Sequence, residues 1–267
     1  GLLAESWQPP YADLHRFAGP ILTSGRCSWL QDGAERRCAA SLPPRLLGAL
    51  ALLQSPSELD SEGLGKAVSA AAREGIDDPS WWTAISARAK ALAPEMGLHD
   101  ATLILNGMAR MRRLDNKLVE ALIPRITAHM IYLTSSQFAM LASAIAKAEV
   151  HNAGFVNALT RELKARLLEF QSSMEITMVI NAVSKLRVTD EDIYRRLVVQ
   201  VQNRMVTEAL HVRDVSVIVN AVARVNCTDA ATVGRFADYA MHTLHEATPQ
   251  ELARLMDACM RVSWDAH

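Results

Sequence analysis

The sequence has few aromatic side chains, 5% of its 267 residues, and only 12 glycines. Sheets favour aromatic and β-branched residues, so this scarcity, beside abundant Ala and Leu and 11 Met, points to packed helices. Cysteine is scarce as well. Cys27, Cys38, Cys227 and Cys259 are too few for a disulfide-built scaffold, and no Cys-x-x-Cys pair offers the usual zinc spacing. Free thiols are expected, with a Cys27–Cys38 bridge as the alternative. An excess of either charge is missing too. The 28 basic and 29 acidic residues leave a net charge of −1, which excludes a strongly basic nucleic-acid arm or an acidic tail. The longest apolar run, residues 46–53, falls far short of the roughly 20 residues a membrane-spanning helix needs, so a soluble chain is expected.

Catalytic signatures are also lacking. There is no glycine-rich phosphate loop, no Gly-x-Ser-x-Gly elbow and no supported pair of carboxylates. His242, His245 and Glu246 sit close together on an expected helix, but the spacing is not His-Glu-x-x-His and no third ligand follows, so they read as surface residues. Trp81-Trp82 and the methionines read as packing. The expectation is a protein that is not an enzyme, with no cofactor, no metal, no small-molecule substrate and no membrane contact.

What the sequence does contain is a repeat. Six of the ten prolines fall in residues 1–56, which read as an irregular lead-in ending in one short helix near 44–54. Residues 57–267 have a different character. Asn181-Ala182-Val183-Ser184-Lys185-Leu186 recurs as Asn220-Ala221-Val222-Ala223-Arg224-Val225. Earlier copies are Ser69-Ala70-Ala71-Ala72-Arg73-Glu74, Asn106-Gly107-Met108-Ala109-Arg110-Met111 and Ser143-Ala144-Ile145-Ala146-Lys147-Ala148. A last copy is Asp257-Ala258-Cys259-Met260-Arg261-Val262. The spacings are 37, 37, 38, 39 and 37 residues, and a fixed period in this range signals a solenoid.

Each period holds two helices. Asp60, Thr134, Ser172 and Thr248 are expected first-helix caps, with capping boxes at Thr134–Gln137, Ser172–Glu175 and Thr248–Glu251. Phe138, Leu141, Ala142, Ile145 and Ala148 mark one apolar stripe of helical period, as do Ile176, Val179, Ile180, Val183 and Leu186. Acidic or polar turns at Asp78-Pro79, Asp115-Asn116, Thr189–Asp192 and Thr228-Asp229 open second helices near 79–93, 116–133, 153–170, 191–209 and 230–246. Pro124 predicts a kink or break. The fold class is therefore all-α: an α-solenoid of about six two-helix repeats, the last incomplete. Either the final helix is the polar cap a solenoid needs, or the protein continues. The small residue after each polar position, Gly107 or an Ala, is expected to allow close helix approach.

One column combines a polar residue with a cation four places on. The polar members are Ser69, Asn106, Ser143, Asn181, Asn220 and Asp257; the cations are Arg73, Arg110, Lys147, Lys185, Arg224 and Arg261. Residues four apart share a helical face, so stacking aligns the pairs. Arg112 and Arg113 add charge beside Arg110. Such a stripe suits RNA, with cations on phosphates and amides at base edges. A structural reading stands beside it: a cation in the last turn complements the helix dipole, and the Asn bonds a neighbouring repeat. Residues 57–267 carry 23 basic and 25 acidic groups, so an RNA face requires the acids to lie elsewhere.

The recurring stretches NAVSKL, NAVARV and SAIAKA, each followed by an acidic turn and a second helix, resemble organellar helical-repeat proteins. These are the octotricopeptide and heptatricopeptide repeat proteins and the repeat region of RAP-domain proteins, over about residues 57–263. The resemblance implies a mitochondrial or plastid RNA-binding protein in which Asn106, Ser143, Asn181, Asn220 and the cations four residues on face RNA. The chain shows no recognisable RAP domain and is not net basic. The expectation is therefore a structural subunit of an organellar ribonucleoprotein, the mitochondrial ribosome first, touching ribosomal RNA on one face and neighbouring proteins on others. The rival expectations are a protein–protein scaffold of armadillo or HEAT type, and a non-catalytic part of a larger RNA-processing enzyme.

Overall fold

A computed structural model describes residues 55–148, 152–226 and 230–264. The Cys27–Cys38 pair, Cys227, the short helix near 44–54 and the Thr228-Asp229 cap lie outside the described residues. Those described form eleven α-helices and no strand, joined by short turns. First helices of the repeats are α1 (Ser61–Glu74), α3 (Leu98–Arg110), α5 (Ser135–Ala148), α7 (Ser173–Lys185), α9 (Val212–Arg224) and α11 (Pro249–Trp264). Second helices are α2 (Pro79–Leu92), α4 (Asn116–His129), α6 (Ala153–Ala165), α8 (Glu191–Arg204) and α10 (Ala230–Met241). The chain divides into two compact units, one ending at Leu114 and one beginning at Asp115. In each, helices pack as in an α-solenoid, first helix against first helix: α1 on α3 in the first unit, and α5, α7, α9 and α11 in succession in the second.

Local chemistry accounts for the helix starts. The Asp60 carboxylate accepts from Gly63 N–H at 2.8 Å, and Asp78 from Ser80 and Trp81. Thr134–Gln137 and Thr248–Glu251 are reciprocal capping boxes. At Ser172 half the expected box forms. Its hydroxyl accepts from Glu175 N–H, but the Glu175 carboxylate accepts from Gln171 N–H, one residue further back.

First helices bury more than one stripe. Along α5, Phe138, Ala139 and every residue from Leu141 to Ala146 are buried, with α7 packed along it and α4 also meeting it. Close approach is tightest at Gly107, where a Cβ would lie 2.5 Å from Val68 Cγ1 and 3.1 Å from the Val68 carbonyl oxygen. The matching Ala70, Ala144, Ala182, Ala221 and Ala258 are all buried.

Two expectations about the second helices need correction. Of the kink or break expected at Pro124, the break does not occur: α4 runs continuously from Asn116 to His129. The proline ring is exposed, so water can satisfy the carbonyl that loses its N–H partner. The second helices also end earlier than the apolar pattern suggests: α6 at Ala165, α8 at Arg204 and α10 at Met241. The residues beyond form turns; short 3₁₀ segments follow α4 and α10, at Met130–Tyr132 and Leu244–Glu246.

Arg166 explains the end of α6. Its side chain is 5% exposed and pairs with Glu162. It donates to the carbonyls of Leu133 at 2.7 Å and Ile131 at 3.4 Å, and lies 5.0 Å from the Phe138 ring centroid. A guanidinium held by the preceding repeat's turn fixes where the chain must bend. Arg204 and Gln200 make the same kind of link one repeat on, donating to the carbonyls of Phe170 and Leu167.

Candidate functional site

The column residues sit where the helix ends place them. Arg73, Arg110, Lys147, Lys185, Arg224 and Arg261 all occupy the last turn or two of first helices and are exposed. Their polar companions four residues earlier are more covered. Ser69, Asn106, Asn181, Asn220 and Asp257 are half-buried and Ser143 is buried.

The cations differ in their surroundings. Arg224 reaches back to the preceding first helix, donating to Ser184 Oγ at 2.8 Å and to Asn220 Oδ1 at 3.4 Å. Burial, then the nearby Arg261 charge, pulls its pKa below the usual arginine value. Arg261 pairs with Asp257 at 2.6 Å, and Arg73 with Glu74 at 3.3 Å. Lys147 and Lys185 project from the last turns of α5 and α7 beside Ser143 and Asn181. The structural role of the column is thus concrete at Arg224, which fastens one repeat to the next.

Just beyond the cation the chain reverses in a left-handed residue. Gly75, Arg112, Arg187 and Asn226, each two residues past a column cation, have φ of 70°, 54°, 57° and 50°. The following N–H groups reach back into the helix, Ile76 to Ala71, Arg113 to Met108 and Val188 to Val183, at 2.9–3.0 Å. This is the capping motif that satisfies orphan carbonyls, usually with glycine. Arg112 is exposed on this turn, whereas Arg113 is held in a 2.6 Å ion pair with Asp77 of the preceding turn. Arg113 therefore serves the contact between turns, and of the two only Arg112 presents its charge outward.

Other singled-out residues fall into place as packing. Trp81 and Trp82 are buried edge-to-face, 4.8 Å apart, and Trp82 Nε1 donates to the Ile76 carbonyl at 2.8 Å. Tyr194 occupies the equivalent repeat position and donates to the Val188 carbonyl at 2.8 Å. His242 and His245 are exposed, and the helix expected to carry both ends at Met241. No group of three metal-ligating side chains occurs among the described residues.

Acids and cations separate in part. The turns leading from a second to a first helix carry Glu169, Glu208 and Glu246, and Glu251 lies in the first turn of α11, while the first-helix ends carry the cations. Asp190, Glu191 and Asp192 break the pattern, lying past Lys185, although Lys164 pairs with Asp190 and lowers its pKa. Both trends agree with the helix dipole. Sequence reasoning missed Ser184 and Arg166; the 38-residue interval from Arg166 to Arg204 was the available signal.

Comparison with known proteins gives no matching family model and no matching curated sequence.

Proposed function

We propose that the protein is a non-enzymatic, RNA-contacting helical-repeat subunit of an organellar ribonucleoprotein, with the mitochondrial ribosome as the first setting to test. The observation that carries the reading is the recurrence of an exposed cation beside a half-buried or buried polar residue on every first helix. Phosphates would meet Arg110, Arg112, Lys147 and Lys185. Asn106 and Asn181 would meet base edges or sugars. Arg224 and Arg261 contribute less, because their internal partners already occupy them. The organellar setting rests on the resemblance of the repeat alone.

The test is binding of single-stranded RNA across a salt series. Contact at six phosphates gives a slope of about −4 in log affinity against log salt, and each contact removed lowers its magnitude by about 0.7. Lys147→Glu and Lys185→Glu together should flatten the slope and weaken binding. A flat salt dependence in the parent, or unchanged binding in the double variant, overturns the reading.

A second reading, a protein–protein scaffold, is favoured by apolar side chains left exposed on the turns of the second unit. It predicts no RNA affinity and a protein partner that survives nuclease treatment.

A further inference from the structure

Three turns of the second unit expose large apolar side chains at matching repeat positions. Ile131 is 63% exposed, Leu168 84% and Val206 87%, with Tyr132 beside Ile131 at 73%. The intervals are 37 and 38 residues. Each lies where a second helix gives way to the next first helix. Single exposed apolar residues need no explanation, but a row in register does.

The row is firmly held. Arg166 bonds the Ile131 and Leu133 carbonyls, and Leu168 lies two residues beyond it. Arg204 bonds the Phe170 carbonyl, and Val206 lies two residues beyond that. The three turns therefore sit side by side on buried polar links.

Spacing and charge identify the occupant. Stacked repeats place equivalent residues about 10 Å apart. Seven residues of α-helix, at about 1.5 Å each, advance the same distance on roughly one face. A strand matches poorly, since about 10 Å is three residues, which turns the side chain to the opposite face. The exposed acids on these turns are Glu169 and Glu208; Glu246 is exposed on the turn after α10, and Arg213 is an exposed cation where α9 begins.

We infer that the row Ile131–Leu168–Val206 docks an amphipathic helix of a partner protein, with apolar residues seven apart and lysine or arginine on its flanks. This deepens the protein-neighbour part of the function proposed above and is independent of its RNA part. The helix lays its apolar side along the row, and its basic flanks face the glutamates.

A photo-crosslinking amino acid at Leu168 of the full chain, activated in the cells that make the protein, tests this. Mass spectrometry of the adduct should identify a peptide of another protein with that spacing and basic flanks. A synthetic peptide of that segment should bind the parent and lose at least tenfold in affinity to Val206→Asp. It should lose severalfold to Glu169→Gln. Thermal unfolding should be unchanged in Val206→Asp, whose side chain is exposed. It should be nearly so in Glu169→Gln, whose side chain is largely exposed and whose pair with Arg166 is long at 3.9 Å; the RNA salt slope should stay at the parent value. An adduct to a second copy, to the chain's own residues, to RNA or to lipid overturns the inference. So do the absence of an adduct and peptide binding that survives Val206→Asp.

Discussion

The first and second helices of this protein stack by different means. First helices meet through small residues, with Gly107 against Val68 as the extreme, and α5, α7 and α9 bury most of their residues. Second helices bury one side and are linked across repeats by long polar side chains, Arg166 to the 130–133 turn and Arg204 to Phe170. A contact made of small residues tolerates almost no added volume, whereas one made of a buried guanidinium tolerates no loss of its partners. The difference also explains where function is available. From α1 to α9 the first helices offer mainly their ends to solvent, and there the cations stand; the last, α11, also exposes Met256 and Met260. The second-helix side leaves its turns free to carry apolar residues.

The largest expected effect comes from the polar links. Arg166→Ala strands the partly buried Glu162 carboxylate and the carbonyls of residues 131 and 133, and should cost about 3–5 kcal/mol in denaturant unfolding. A cost within 1 kcal/mol would show that packing alone holds the second helices. Next is Gly107→Ala, whose added methyl meets Val68 side chain and backbone at once; overpacking should cost about 1–3 kcal/mol. An unchanged unfolding midpoint would mean that the first-helix contact yields.

Helix caps come third. Asp78→Ala should cost about 1 kcal/mol. The Ser80 hydrogen bond lowers the Asp78 pKa below its ordinary 3.8. Stability from the charged cap is therefore present above about pH 4 and lost as pH falls through the lower folded value. The parent–variant gap should shrink over that acid range; a constant gap would show that the carboxylate charge is not involved.

The smallest effects concern the turn that follows the cations. Arg187 adopts φ 57° without being glycine, so Arg187→Gly should stabilise by about 0.5–1 kcal/mol, less than the full left-handed penalty because glycine also frees the unfolded chain. A loss of stability would mean that the Arg187 side chain makes a contact of its own. Lys185→Gln should cost less than about 1 kcal/mol, the helix-end charge alone, in contrast to Arg224→Ala, which also removes the bond to Ser184.

Much of this was legible in residue order. The period, the caps at Asp60, Asp78, Thr134 and Thr248, and the small residue after each polar position were all readable, because each depends on neighbours within a few residues. The ends of the second helices were not. The segments 166–170 and 205–209 continue an apolar, helix-compatible pattern, and only the carbonyls of the preceding repeat, presented to Arg166 and Arg204, make the chain turn there. The cation column was readable as a spacing of four. The use of Arg224 to fasten one repeat to the next was not, because Ser184 lies 40 residues from Arg224.

The sequence by itself determined that this chain is a helical repeat, how long the unit is and which residues recur in register. Those properties follow from local hydrogen bonding and from a pattern of side chains with helical period. Tertiary structure alone decided which recurring charges are used to hold repeats together and which face outward, and that Ile131, Leu168 and Val206 stand in a row on the surface. The physical reason is that burial and pairing depend on what the adjacent repeat presents, and that is set by stacking across 37 to 40 residues rather than within one helix.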